Sequence, residues 1–146
     1  MDNFYSAEMP IIDRLKERLE LSAVYSQADI DGLRKSGGQP DEAVAVIYRD
    51  FRVQDADQES LDLLLFQRWL IVPMSRNVRE IATGAGARDA AGELLLRVIK
   101  ALNGWRPTAE HGPLLLTAPG APRQYRDGVA YAPAQFETLI RIETDN

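Results

Sequence analysis

Apolar residues near the start of the chain recur with the period of an α-helix. Spacings of three, four and eight positions separate Ile11, Ile12, Leu15 and Leu19. Charged residues fill the positions between them, so a helix here has one apolar face and one polar face. Pro10 fits the first turn, where a proline loses no helical hydrogen bond. The pattern predicts an amphipathic helix from about Pro10 to Leu21.

Two mainly polar segments then bracket a short apolar run. The first, SGGQPDE (36–42), combines glycines and a proline with polar residues and predicts a loop. The run AVAVIY (43–48) is apolar on both alternating faces, which is typical of a strand covered on both sides. The second polar segment, QDADQES (54–60), predicts a turn.

The next run, LDLLLFQRWLIVPM (61–74), is the longest nearly apolar stretch. Trp69 and the β-branched residues after it favour a strand over a helix. A strand of this length should bend or bulge near Gln67 and Arg68. Pro73 cannot donate a hydrogen bond to a sheet, so the strand should end there or lie at an edge. The stretch is well short of the ~20 residues that a membrane helix needs.

A second helical pattern follows a glycine-containing segment. TGAGAR (83–88) predicts a hinge-like loop, after which Asp89 is placed to cap a helix. The buried stripe of this helix should consist of Leu94, Leu95, Val98, Ile99 and Leu102. Gly104 occupies the position of a left-handed C-cap residue, and Pro107 follows where the helix can no longer continue.

The last third of the chain predicts β-structure. GPLLLTAP (112–119) is an apolar run between prolines, and Asp127-Gly128 predicts a hairpin turn. The final run, from Phe136 to Thr144, alternates between apolar and polar residues, with Leu139 as the one exception on the polar face. One face of this strand should be buried, and the other should be wet or covered by a partner.

Together these elements predict a single α+β domain over residues 1–146. Its sheet should be mostly antiparallel and packed with two main helices, in the order α-β-β-α-β-β. A chain of 146 residues that is 45% hydrophobic can bury one core, but it is too short for two domains that each have a core of ordinary size.

Composition narrows the classes of function. The chain has no cysteine, which excludes disulfides, thiolate metal sites and a cysteine nucleophile. A net charge of -5 argues against a surface that holds nucleic acid through clustered Lys and Arg. The start of the chain lacks the basic and apolar regions of a signal peptide, so we expect synthesis and folding in the cytosol.

One acidic segment superficially resembles a calcium-binding loop. Asp55, Asp57 and Glu59 alternate as the first ligands of such a loop do. The position that requires glycine holds Ser60, and the twelfth position, which requires a carboxylate, holds Phe66. A solvated turn is the better interpretation.

No catalytic motif is present either. The sole histidine, His111, leaves a two-histidine metal site impossible, and no Gly-x-Ser-x-Gly motif supplies a nucleophile. We interpret His111 as a loop residue. TGAGAR (83–88) lacks the lysine and the serine or threonine of a P-loop. We therefore expect no catalytic residues, no metal and no cofactor, and we favour a structural or binding role.

Several segments together resemble one known family. They are IIDRLKERL, VAVIYRDF, FQRWLIVPMSRN (66–77), ALNGWRP (101–107) and FETLIRIE. In this arrangement the chain is similar to the phage tail terminator family, the minor tail proteins that cap the tube of long-tailed bacteriophages and prophages, including the Mu-like prophage branch. The resemblance covers most of the chain, and segments 66–77 and 101–107 are its most specific parts.

The resemblance implies a structural virion protein and not an enzyme. Such proteins form a hexameric ring on the major tail tube protein, stop tube polymerisation and offer a surface to the head-tail connector protein. The implied location is the virion tail, after assembly in the bacterial host cytoplasm, with DNA only passing through the lumen and no membrane contact. Six copies would carry about -30 in total, which would repel DNA phosphates from the passage.

Two alternatives remain open at this point. One is another head-tail joining or minor tail protein with the same pattern. The other is a small cytoplasmic binding module or an enzyme whose site is dispersed along the chain.

Candidates for contacts between subunits come from the two most specific segments. They are Arg68, Trp69, Arg76, Trp105 and Arg106. Trp69 also fits core packing, because it lies in an apolar strand. Trp105 also fits packing over the end of the preceding helix. Exposed arginines often contribute little to a contact.

Overall fold

The computed structural model describes residues 1–29, 41–56, 62–76, 85–120, 124–126 and 128–145. These residues contain two long helices and a sheet of seven strands, and residues 27–29 are also helical. In chain order the elements are α1 (Glu8–Leu19), β1 (Val24–Ser26), β2 (Glu42–Ala56), β3 (Leu63–Arg76), α2 (Ala85–Leu102), β4 (Leu115–Ala118), β5 (Gln124–Arg126), β6 (Val129–Tyr131) and β7 (Ala134–Ile142).

The sheet is organised around β3. Along one edge, β3 pairs antiparallel with β2 over nearly its whole length. Its other edge is shared, because β7 pairs with Leu63–Ile71 and β6 pairs with Met74–Arg76. β4 continues the sheet beyond β7, β5 continues it beyond β6, and β1 runs parallel to β2. The predicted α+β class with a mostly antiparallel sheet is confirmed, and β1, β5 and β6 add three short strands to the predicted order.

Both long helices pack on one face of the sheet, called here the helix-side face. The main core lies between them and the sheet, and its largest residues, Trp69 on β3 and Phe136 on β7, are directly opposite each other and fully buried. Ile11 and Leu15 of α1 are equally buried, as the helical period predicted. Burying one such side chain contributes roughly 1.5–3 kcal/mol, so this layer is the main source of stability.

The opposite face of the sheet, called here the far face, has its own apolar cluster. Val44 and Val46 of β2 point into the main core, whereas Ala43 and Ala45 are buried in the second cluster with Val72. Successive residues of a strand point to opposite faces. The prediction that segment 43–48 is covered on both sides is therefore confirmed.

The irregularity predicted in β3 lies instead on its partner strand. Tyr48 pairs with Trp69 whereas Asp50 pairs with Arg68, so Arg49 is an extra residue in β2. The prediction that β3 bends or bulges near Gln67 and Arg68 is therefore wrong, since β3 stays in regular register with β7 there. The physical reason is that β3 is held on both edges, and an extra residue is accommodated more easily by a strand with one unpaired edge.

Pro73 lies inside the central strand, so the prediction that the strand ends or lies at an edge is wrong. Its partner Val44 donates its N–H to the Ala23 carbonyl (2.9 Å), on the far side of β2. The polar backbone groups of Pro73 therefore point to the other edge of β3. There its carbonyl accepts the N–H of Ala132 (3.0 Å), in the gap between β7 and β6. The missing N–H of proline removes no ladder hydrogen bond.

The second helix begins earlier than predicted. Residues 85–88 of TGAGAR form its first turn, and Asp89 lies exposed within the helix and does not cap it. Small side chains explain this start, because Ala87 and Ala91 pack tightly against Ala130 of β6. The predicted stripe is confirmed at its centre, where Leu94, Val98 and Leu102 are buried. No helix in the described ranges is long and apolar enough to cross a membrane.

Two predicted connections fall partly outside the described residues. In SGGQPDE, residues 36–40 lie outside them and Glu42 already starts β2. In QDADQES, residues 54–56 continue β2, so the turn was predicted to begin too early, and residues 57–60 lie outside the described part.

The two glycines predicted to form turns, Gly104 and Gly128, are confirmed. Gly104 has a φ of +85° directly after α2, which is the left-handed conformation expected of it. Arg126 of β5 pairs with Val129 of β6, and Gly128 between them has a φ of +80°, as a hairpin turn requires. Asp127 of that turn lies outside the described residues. The alternation of β7 is also confirmed, because Phe136 and Ile140 are buried on the helix-side face.

Two glycines allow the cost of the left-handed conformation to be measured. An added Cβ would meet no atom within 4 Å at either Gly104 or Gly92, so only backbone effects differ. We expect Gly104→Ala to lower the free energy of unfolding by about 1–2 kcal/mol, because alanine resists a positive φ. Gly92→Ala, inside α2, should raise it by roughly 0.5–1 kcal/mol. Urea unfolding of both variants checks this, and equal shifts would contradict it.

Candidate functional site

The segment ALNGWRP forms a corner between α2 and β4. The Gly104 N–H donates to the Leu114 carbonyl (2.7 Å), and the Leu114 N–H donates to the Trp105 carbonyl (2.9 Å). The side-chain oxygen of Asn103 accepts the N–H of Leu116 (2.9 Å). The chain that leaves α2 therefore runs beside β4 and occupies part of its outer edge. This pairing explains why the helix must stop here.

Trp105 packs over the end of α2. The guanidinium of Arg14 lies 5.1 Å from the centre of the indole ring, at a distance suited to a cation–π interaction. The Nε of Arg14 also donates to the Ala101 carbonyl (3.0 Å), which fixes the guanidinium near the C-terminus of the helix. Trp105 is half-buried and packs against the main core. Its first role in the fold is to join α1, α2 and the corner.

Trp69 is fully buried in the main core. Its ring packs edge-on against Tyr48 at 5.4 Å, and its indole N–H donates to the side-chain oxygen of Gln67 (3.4 Å). The amide nitrogen of Gln67 in turn donates to the Phe4 carbonyl (2.6 Å), which ties the N-terminal segment to β3. The indole has no exposed surface in this chain, so a contact with another subunit would require it to leave the core.

Arg68 belongs to a charged network on the far face. Its Nε lies 3.2 Å from Glu137 and its Nη1 lies 3.5 Å from Asp50. The Nε of Arg52 also lies 3.2 Å from Glu137, whose side chain is only 9% exposed. The polar face of β7, predicted to be wet or covered by a partner, is thus covered by arginines of the same chain.

The bulge in β2 extends this network. Because Arg49 is the extra residue, it reaches across the far face and donates to Gln135 (2.5 Å). The amide nitrogen of Gln135 donates to the Thr117 hydroxyl (3.0 Å) on β4. Together with the ion pairs of Arg68 and Arg52 with Glu137, these hydrogen bonds link side chains of four strands, β2, β3, β7 and β4. The alternation of β7 predicted a polar face, but no sequence signal located the extra residue in β2.

Arg76 and Arg106 are the most accessible of the five candidate residues. Both are exposed, and neither guanidinium makes an ion pair with a residue that the structure describes. Arg76 ends β3, about 23 Å along the strand from Trp69 at the usual rise per residue, whereas Arg106 lies at the α2 corner. The fold brings Trp105 and Arg106 together but does not gather the five residues into one site.

His111 is a buried structural residue and not an exposed loop residue. It forms a bridge with Ile140, is 1% exposed, and its Nδ1 lies 2.6 Å from the Thr108 hydroxyl. Burial lowers the pKa of His111 from its ordinary value, and the nearby Glu110 carboxylate opposes that shift. Across the described ranges, no three His, Cys, Asp or Glu side chains are placed to hold a metal ion.

The burial of His111 predicts a loss of stability in mild acid. The unfolded chain takes up a proton as the pH falls through about 6.5, whereas the folded chain resists it. The free energy of unfolding should therefore decline below that pH, by at most about 1.4 kcal/mol per unit. Urea unfolding between about pH 7.5 and 5.5 measures the slope, and the window stays above the usual carboxylate range. His111→Asn should remove most of it; an unchanged slope would refute this assignment.

Comparison with known proteins gives one result. The family model described as phage tail terminator protein matches residues 1–146, which is the whole chain. The comparison with curated proteins gives no match. A match over the full length agrees with the resemblance carried by segments 66–77 and 101–107. The chain therefore belongs to the phage tail terminator family.

Proposed function

We propose that this protein forms a hexameric ring on the end of a bacteriophage or prophage tail tube. The ring stops tube polymerisation and provides the surface to which the head joins. The observation that carries the proposal is the family match over residues 1–146. A structural role in the phage tail follows from the family, and the ring, the stop and the joining surface are the specific content of the proposal.

The proposed partners are copies of this chain, the major tail tube protein and a head-tail connector protein. DNA only passes through the lumen. Each chain has a net charge of -5, so a hexamer would carry about -30, and like charge favours passage of DNA over retention. Assembly would take place in the bacterial host cytoplasm, and the finished location would be the virion tail.

We infer that the protein acts without covalent chemistry. Its one histidine is used in the fold, where Nδ1 bonds to the Thr108 hydroxyl and the backbone forms a bridge with Ile140. Among the described residues, the most buried carboxylate, Glu137, is paired with Arg52 and Arg68. These groups are engaged in holding the sheet together, which supports a structural function.

Among the five candidate residues, Arg76 and Arg106 are the best supported as contacts between subunits. Both guanidinium groups are exposed and free of ion pairs with described residues, so a partner could bind them without breaking the fold. Arg68 and Trp105 are partly exposed but already engaged, with Glu137 and Arg14 respectively. In a contact between subunits, Arg68 and Trp105 would therefore lie at the margin.

Loss of the gene should produce overlong tail tubes without heads, because nothing then stops the addition of tube subunits. Electron microscopy of lysates from the deletion and from the complemented phage measures tail length and head attachment. Tails of normal length that fail to join heads would contradict the terminator role and would favour another head-tail joining protein.

Substitution of the exposed arginines should separate assembly from stability. We expect Arg76→Ala and Arg106→Ala to change the free energy of unfolding by no more than about 0.5 kcal/mol, because neither guanidinium has an ion-pair partner among the described residues. Both should reduce the fraction of normal-length tails when they complement the deletion. Lys16→Ala, on the exposed face of α1, is the matched control. Full complementation by both arginine variants would exclude them as contact residues.

A further inference from the structure

Exposed apolar side chains lie at both edges of the sheet. At one edge, Phe51 and Val53 of β2 are about half-exposed on the helix-side face, and Tyr5 is similarly exposed next to them. The Phe4 ring joins the group, 5.6 Å from both Tyr5 and Phe51. We call Tyr5, Phe51 and Val53 the β2 flank. Large apolar side chains grouped on a surface often mark an interaction site.

The outer edge of β2 adds to this surface. β1 pairs with β2 only at residues 44–46, and no described strand pairs with the outer edge of β2 from Arg49 to Ala56. Residues 51–53 are exposed as well. A long exposed edge with apolar side chains is a hazard for uncontrolled pairing, and proteins usually cover such an edge. Within the described residues, the β2 flank is therefore an uncovered surface.

The opposite edge of the sheet offers a recess. The strand order β2-β3-β7-β4 places β4 about 14 Å from β2 at the usual strand spacing. A groove of about 1010 Å³ lies there, and its lining includes the apolar residues Leu95, Ile99, Leu116 and Pro119. Arg49 and Arg68 line it as well. Leu115 and Leu116 of β4 are exposed. We call the groove and these two leucines the β4 flank.

The β4 flank is suited to receive side chains and not a whole strand. Asn103 and Gly104 already occupy the part of the β4 edge next to Leu114 and Leu116. The β2 flank, in contrast, presents projecting aromatic and branched side chains. Both surfaces carry exposed apolar side chains, so a contact between them would remove those side chains from water.

Charges beside the two flanks are also complementary. Asp2 and Glu8 lie on either side of Tyr5 in the sequence, and the Glu8 N–H bonds to the Tyr5 carbonyl (3.0 Å). Residues 2–13 contain no lysine or arginine, and residues 94–108 contain no acid. Lys100 follows Ile99 of the groove, whereas Arg106 lines a separate recess with Leu115 and Glu110. Apart from Glu110, none of these charged residues makes an ion pair with another described residue.

We propose that the β2 flank of one copy docks on the β4 flank of the next copy of this chain. Phe51 and Val53 would enter the groove, with the acidic residues near Tyr5 facing Lys100 and Arg106. A contact between two different surfaces is head-to-tail, and it produces a closed ring when the rotation between copies fits. This inference rests on the proposed ring and names the surfaces that join its subunits.

The absence of cysteine from the chain permits a clean test. Phe51→Cys and Leu116→Cys are prepared as separate proteins, distinguished by a mass tag, mixed and treated with a bifunctional thiol cross-linker, both in solution and on assembled tail tubes. We expect the mixed dimer to exceed either homodimer by about tenfold, because only unlike flanks meet. A chain with both substitutions should form a ladder of cross-linked species that ends at the closed ring.

The matched control is Glu17→Cys, at an exposed position on the outer face of α1. The proposal is overturned if the mixed pair cross-links no more than Glu17→Cys does, both in solution and on tubes. Predominant Phe51→Cys homodimers overturn it as well, since they indicate a two-fold contact between β2 flanks.

Two further measurements distinguish the absence of this contact from misfolding of a variant and from failure of the terminator role. Circular dichroism verifies folding, and Val53→Cys with Leu115→Cys replaces any variant that fails to fold. The tail-length assay judges the terminator role independently. A mixed dimer together with normal tails in the deletion would support the contact and reject the role, whereas overlong tails without a mixed dimer would support the role and reject this contact.

Discussion

The structure depends on one strand, β3, which is buried on both faces and paired on both edges. On the helix-side face it contributes Trp69 and Ile71 to the main core, and on the far face it contributes Val72 to a second core. Its two edges bond to β2, β6 and β7. A strand held on all four sides cannot shift by one residue without reversing every side chain, so the rest of the sheet must adapt to it.

The irregular features of the molecule follow from that constraint. Both extra residues of the β2–β3 pairing, Arg49 and Gln54, are on β2, because the outer edge of that strand has no described partner there. Pro73 is tolerated within β3 because its nitrogen faces the gap between β6 and β7. The bulges interrupt the β2–β3 ladder only locally, and Pro73 removes no ladder hydrogen bond.

The same constraint accounts for the surfaces available to partners. On the far face, ion pairs of Arg68 and Arg52 with Glu137 cover the polar side chains of β7. At the sheet edges, β2 has an outer edge that no described strand pairs from Arg49 to Ala56, and β4 lies beside a groove. The two edges lie on opposite sides of one sheet, which suits the head-to-tail contact between copies that we propose.

The sequence by itself determined what depends on local periodicity and turn chemistry. The apolar periods located α1, α2, β3 and β7, and Gly104 and Gly128 marked turns because glycine adopts a positive φ at little cost. The sequence also carried the resemblance to the family. Tertiary structure decided which strand takes the bulge, whether Pro73 ends a strand, and how Arg49, Arg68 and His111 are paired or buried. These outcomes depend on contacts between residues that are distant in the chain, and no local pattern encodes them.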